Sequence, residues 1–301
     1  MIELPATFEL RPEHGGRRAE KVLLRALPGL REGFALMLLH RGKVLLDGRP
    51  LRRGERLPPR GRVEVQAPDP RPGPRLPVPN PDVPLEVRHE DDDVVVVEKP
   101  AGVAMHPGPG HGANTLQNGL VARYPELLDL GRARGFGLVQ RLDLETSGLV
   151  VVARSARAHE ALVAAFTARE VEKRYRALTL GHPPTPTGLV EAPVDGREAA
   201  SRWEVLARAT GPDEVALLSL RPLTGRKHQL RLHLAGLGCP ILGDRRHGPA
   251  TLPVARRLGL GRLALHAEAL ALRHPTTGAL LAFEAPWPPE LEAAWRRAGG
   301  G

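Results

Sequence analysis

Cysteine is all but absent: Cys239 is the only one in 301 residues. That excludes a disulfide framework and leaves no thiolate set for a zinc site. Aromatic residues make up 3% of the chain, with two tyrosines, Tyr124 and Tyr175. A core must therefore rest on Leu, Val and Ala, and a tyrosine at a polar position carries more weight than usual. No apolar run approaches the roughly 18 residues that span a bilayer, and no basic-then-apolar leader opens the chain. A soluble, cytoplasmic protein with no membrane partner is expected. The chain also lacks a G-x-x-x-x-G-K-[ST] loop, a dinucleotide fingerprint and an H-E-x-x-H pair. His228 and His233 flank a strand-like segment, but nothing supplies a third ligand, so no metal is expected.

Lysine is the last scarcity, and it points to what is plentiful. Of 43 basic residues five are Lys and the rest Arg, against 34 acidic residues, for a formal charge of +9 and a pI near 10.6. Arginine binds phosphate bidentately and stacks on bases. A polyanionic partner follows, with nucleic acid foremost; an Arg-, Pro- and Ala-rich composition inherited from a GC-rich genome would look the same. With 42% apolar residues the chain can bury a core, as one large or two modest domains.

Eight prolines fall in "PDPRPGPRLPVPNPDVP" (68–84). This predicts an extended linker between a small unit, 1–67, and a larger one, 85–301. In the small unit, 19–27 and 32–40 have helical apolar spacing. Residues 41–57 hold two short strands about an Asp47-Gly48 turn, and 61–66 alternates as a third. Arg17, Arg18, Lys21, Arg25, Arg31, Arg41, Lys43, Arg49, Arg52 and Arg53 crowd this unit. The order of elements, with "HRGKVLLDGRPLRRGERL" (40–57), resembles the S4 RNA-binding domain, which implies RNA contacts from Arg17, Arg18, Lys43, Arg52 and Arg53. A generic α+β module with a solvated basic face has the same pattern.

In the large unit the valine run of "RHEDDDVVVVEKPAG" (88–102) predicts a buried strand behind a solvated acidic turn. Residues 156–170 form an amphipathic helix with Ala158, Leu162, Ala165, Phe166 and Arg169 on one side. Segments 173–181, 214–223 and 278–286 read as strands, and "HPGPGHGANT" (106–115) as a loop. Many strands with few helices between them argue for an α+β fold with a mixed, largely antiparallel sheet.

One ionisable residue stands out. In "QRLDLETSGLVVVAR" (140–154) Asp143 lies in a polar turn at the mouth of a strand with no polar residue from 149 to 152. It is either a satisfied turn residue or a nucleophile in a dry seat, and a carboxylate so desolvated needs a cation to stay charged. Three further stretches stand with it: "VEKRYRALTLG" (171–181), "PLTGRKHQLRLHLAGLGCPILGDRRHG" (222–248) and "LALHAEALALRHPTTG" (263–278). Together, over 85–290, they resemble the RluA-type pseudouridine synthases: R-L-D-x-x-T-S-G, then K-x-Y-x-A, T-G-R-x-H-Q-L-R-x-H and G-x-P-I-x-G-D in that order. The resemblance implies the pseudouridine synthase fold behind an S4-like domain. It implies an isomerase that converts uridine to pseudouridine in RNA without a cofactor, most naturally in large-subunit ribosomal RNA. Asp143 becomes the nucleophile, Tyr175 the tyrosine that stacks on the base and moves the proton from carbon 5, and Arg226 the guanidinium that orients Asp143. Arg141 enters the space left by the flipped base, Leu142 and Leu232 shape the pocket, and Lys99 of "EKPAG" ends a strand at a turn. Gln140 departs from the family's His. Transfer RNA as substrate, a non-catalytic RNA-binding assembly factor on the same scaffold, and a two-carboxylate hydrolase using Glu145 are the alternatives. No apolar seam suggests an interface, so a monomer is expected.

Overall fold

The computed structural model describes residues 4–301 except 31, 41, 68–75 and 109, and leaves out the side chain of Met37. Arg31, Arg41 and the first half of the proline-rich stretch therefore lie outside the described residues. The chain divides into two compact units, 1–75 and 76–301.

In the first unit, β1 (Ala6–Glu9), α1 (Ala19–Ala26), α2 (Glu32–His40), β2 (Val44–Leu46), β3 (Arg49–Pro50) and β4 (Arg62–Val65) follow one another. The strands pair antiparallel in the order β1-β4-β2-β3. Strand β1 has no counterpart in the sequence reading; it pairs Ala6 with Val65. Val22, Leu23, Leu38, Val44 and Val63 close a core between helices and sheet.

The second unit comprises β5 (Glu86–Glu90), β6 (Val94–Lys99), α3 (Leu116–Arg123), α4 (Leu127–Leu130), β7 (Ser147–Ala153), α5 (Ala156–Thr167), β8 (Glu172–Leu180), β9 (Thr187–Val190) and β10 (Ser201–Arg208). It continues through β11 (Val215–Pro222), α6 (Gln229–Gly236), α7 (Leu252–Arg257), β12 (Leu265–Arg273), β13 (Leu280–Glu284) and α8 (Pro289–Arg297). Its nine strands form one sheet, β5-β6-β7-β12-β8-β11-β10-β9, with β13 pairing the later part of β12, from Ala269 to Arg273. Only the β7–β12 pairing is parallel, so the sheet is mixed and largely antiparallel, in an α+β unit. The valine run is buried on both sides of the sheet. Val95 and Val97 pack with Val150, Val152, Leu116 and Leu120, while Val94 and Val96 pack with Leu149, Val151, Ala158 and Leu162. Each such side chain is worth about 1.5–3 kcal/mol when fully buried. Ser155 caps α5, its Oγ accepting from the Ala158 N–H at 3.1 Å. Arg169 falls beyond the helix, in the left-handed region at φ +63°.

Two readings are corrected. Residues 76–84 are not a free linker. The Asn118 amide donates to the Val78 carbonyl (2.7 Å), that of Asn80 donates to Ala113 (3.1 Å), and Val83 is buried against Gly119. Proline kept this stretch extended, but packing fixes it to the second unit. The segment between His228 and His233 is helix α6, not a strand. Its alternating Leu-Arg-Leu-His pattern mimics a period of two, yet Leu230 and Leu234, four apart, are the leucines that face the core. Cys239 sits fully buried in the same core cluster.

Candidate active site

The centre of the sheet, where β7 meets β12 and β12 meets β8, sets the site. Segment 140–146 reaches β7 without regular structure. Leu142 is buried while Arg141 is exposed beside it, and the Thr146 N–H donates to the Asp143 carbonyl at 3.1 Å. Gly148 then allows β12 to approach. At φ +117°, a Cβ there would lie 2.2 Å from the Ala267 carbonyl oxygen. The turn is also stapled from below. Lys99 is fully buried, and its ammonium donates to the carbonyls of Pro100 (2.8 Å), Val103 (2.8 Å) and Leu144 (3.2 Å). Burial and nearby Arg262 lower its pKa to about 7, opposed by Asp143. Lys99 thus does more than end a strand: it ties the 99–103 turn to the residue after Asp143.

The opposite wall is the loop 223–228 and helix α6. The Gln229 side chain fixes this loop. Its oxygen accepts from Thr224 Oγ1 (2.7 Å) and the Arg226 N–H (3.0 Å), and its amide donates to the Ala200 carbonyl and Ser201 Oγ (2.9 Å each). The helix presents Arg231. Its Nε and Nη2 grip both oxygens of Asp244 at 2.7 Å, leaving Nη1 to donate to Asp143 Oδ2 at 3.0 Å. Asp244 is 1% exposed and also accepts the N–H groups of Arg246 and His247. Burial opposes its charge, but Arg231 and those N–H groups hold its pKa below the usual carboxylate value. His228, left-handed at φ +56°, places Nε2 3.7 Å from Asp143 Oδ1 and Nδ1 2.9 Å from His247 Nε2. Burial lowers the His228 pKa against the pull of Asp143, so the ring is neutral at pH 7.

These groups meet in a cleft of about 660 Å³, which Leu142, Asp143, Tyr175, Leu230 and Arg231 line, with Arg141 and His106 at one side. Tyr175 comes from β8. Burial first, then the charge of Asp143, raises its pKa, so the phenol stays protonated at neutral pH. His106 belongs to the glycine-rich loop, whose ends are pinned by the bridge between Ala104 and Thr115. Gln140 donates its amide to the Leu149 carbonyl at 3.2 Å, a structural task in the place of the family's His.

Two site expectations are corrected. The guanidinium on Asp143 is that of Arg231; Arg226 lines the cleft but donates its Nε to the Glu198 carbonyl at 3.0 Å. Leu230, not Leu232, lines the cleft. Both follow from α6 being a helix, which turns positions 230 and 231 toward Asp143. Asp244 and Lys99 were missed as partners of this site. Asp244 stood in the G-D that ends the last of the four motifs, and no spacing rule joins it to Arg231 thirteen residues earlier.

In the first unit Arg17, Arg18, Arg52 and Arg53 are exposed and Lys43 is half-buried. Arg18 and Arg56 form a backbone bridge, and Glu55 accepts from Arg49 (2.5 Å) and the Arg52 N–H (2.9 Å). This holds the arginine-rich 49–56 stretch against the start of α1. Among the described residues no cluster of His, Cys, Asp and Glu suited to a metal occurs, and no helix is long and apolar enough to cross a membrane.

The chain is similar in sequence and fold to known proteins. The RNA pseudouridylate synthase family model matches residues 93–236. An uncharacterised RNA pseudouridine synthase of Aquifex aeolicus is 32% identical over 316 residues, covering 98% of each chain. The ribosomal large subunit pseudouridine synthase D of Xanthomonas campestris pv. campestris is 38% identical, over 92% of this chain and 87% of that one. The solved human RNA pseudouridylate synthase domain containing 4 superposes with a TM-score of 0.56 at 28% identity, over 71% of this chain and 92% of that one. The chain belongs to the RNA pseudouridine synthase family. It is an RNA-modifying isomerase with that family's fold.

Proposed function

We propose that the chain isomerises uridine in large-subunit ribosomal RNA, with Asp143 as the nucleophile. The reaction breaks the bond from N1 of uracil to the ribose, turns the base, and joins carbon 5 to the same ribose carbon with loss of the carbon 5 proton. No electrons or atoms are exchanged with a second substrate. A carboxylate that adds covalently, and a group that moves one proton, suffice. The observation that carries this reading is the fixed line from Asp244 through Arg231 to Asp143. A guanidinium held bidentately by a buried carboxylate is prevented from rotating, so its remaining N–H points at Oδ2 of Asp143, while Oδ1 lies 3.7 Å from His228 Nε2. Arg231 takes the orienting role first assigned to Arg226. Tyr175, protonated beside Asp143, stacks on the base and relays the proton. Arg141, exposed at the rim, replaces the flipped base in the stack, and Arg226 meets phosphate at the opposite rim.

The ribosomal substrate is supported by relatives named for the large subunit. The first unit acts as an S4-like RNA-binding module through Arg17, Arg18, Lys43, Arg52 and Arg53. Such contacts are phosphate-directed and position the RNA without reading its sequence. The protein works as a monomer in the cytoplasm.

Tritium release tests the reaction. Large-subunit ribosomal RNA transcribed with uridine labelled at carbon 5 is expected to lose tritium to water with the intact chain. With Asp143→Ala it should lose none, while still binding RNA. Release only from transfer RNA would move the substrate. Release from neither, with binding intact, would leave a non-catalytic RNA-binding protein.

A further inference from the structure

Strands β10 and β11 carry an arrangement that the catalytic cleft does not use. Arg202 and Arg221 are directly opposed in their register, and both are exposed. Like charges placed opposite one another on a strand pair repel. Neither guanidinium has an ion-pair or hydrogen-bond partner among the described residues. Glu204, next on the same side of β10, stands opposite Ser219 and pairs with neither.

Both arginines line a second hollow of about 450 Å³, together with Ala269, Ala271, Ala282 and the carboxylates of Glu172 and Glu284. It shares Arg169, Lys173, Pro222 and Leu223 with the catalytic cleft at one end of these strands, while the pairing of Leu220 with Tyr175 sets Arg221 and Arg202 on the other face of the sheet. Other cations around it are already neutralised: Arg169 pairs with Glu198 at 2.9 Å, and Arg174 with Glu268 (3.0 Å) and Glu284 (2.7 Å). Among the described residues, Lys173, at the junction, has only the face of Phe166, 5.7 Å from its ammonium.

An opposed, unneutralised arginine pair beside an RNA cleft calls for an anion that bridges the two. A phosphodiester fits: guanidinium groups bind its oxygens bidentately, and RNA leaving the cleft carries one such charge per nucleotide. We propose that Arg202 and Arg221 form a phosphate clamp for the RNA strand flanking the target uridine, which reaches them round the strand ends at Lys173 and Pro222. This rests on the RNA isomerase reading of the cleft.

The test is the double variant Arg202→Gln/Arg221→Gln, followed by tritium release and by RNA binding across a salt series. KM for RNA should rise about tenfold and the slope of log affinity against log salt should become shallower by about two. The kcat at saturating RNA should stay at the wild-type value. The melting temperature should equal or exceed wild type, because the repulsion is gone. Each single variant should remove about one unit of slope. A raised melting temperature with KM and slope unchanged would overturn the clamp, and so would a loss of kcat at unchanged KM. Should the wild-type protein release no tritium, the isomerase reading fails on its own, and the salt slope of binding still decides the clamp.

Discussion

At the scale of single residues the site is a chain of three charges, and the middle one decides the geometry. Arg231 spends two of its donors on Asp244 and one on Asp143. Replacing Asp244 by Asn removes the charge that holds the fork, although neither atom of the amide touches the cleft. The kcat for tritium release should fall about 100-fold with KM little changed, as expected for a displaced catalytic group. Leaving a buried arginine half-paired should also cost about 3–5 kcal/mol, read as a lowered melting temperature. Asp143 and Tyr175 were legible in the sequence because each lies in a local motif with fixed neighbours. The partner of Asp143 was not. Arg226 and Arg231 both lie in "TGRKHQLR", and only the pitch of α6 decides which of them reaches across 88 residues of chain.

At the scale of elements, the parallel contact of β7 with β12 brings His266 opposite Ser147, just past the turn that carries Asp143. The Nδ1 of His266 meets Ser147 Oγ at 2.9 Å, and the ring packs edge-on against Trp287. Burial, with Arg262 and Arg176 nearby, pushes its pKa down to about 4. In the unfolded chain it titrates near 6.5. Between those values the unfolded chain binds a proton that the folded chain refuses. This part of the stability is therefore complete above about pH 6.5 and is lost as the pH falls towards 4. The loss by pH 5 is on the order of 2 kcal/mol. The fall in melting temperature from pH 7 to pH 5 should shrink in His266→Gln; an unchanged fall would assign the acid sensitivity to other histidines. The strands around this pairing were readable from their apolar runs. The parallel register was not, since Gly148 shows its purpose only when the Ala267 carbonyl lies against it.

At the scale of the whole molecule, charge is unevenly distributed. The first 75 residues hold sixteen basic and nine acidic side chains, so most of the net +9 belongs to a quarter of the chain. The cleft, by contrast, is built entirely from the second unit. A chain beginning at Leu76 should therefore keep kcat near the full-length value while KM for RNA rises at least about tenfold and salt dependence weakens. A matching loss of kcat would show that the first unit serves the chemistry itself. The division into a small basic unit and a larger one was visible from the proline cluster. Its boundary was not, because Val78, Asn80 and Val83 gain their partners only in the folded unit. The lone Cys239 has a practical consequence. It is fully buried, and burial pushes its thiol up to about 11, so the native surface offers nothing for a maleimide to modify. A cysteine introduced beside Arg202 or in the 49–56 stretch would be the sole reactive handle. A fluorophore could then report RNA arriving at each surface separately, in an otherwise unaltered protein.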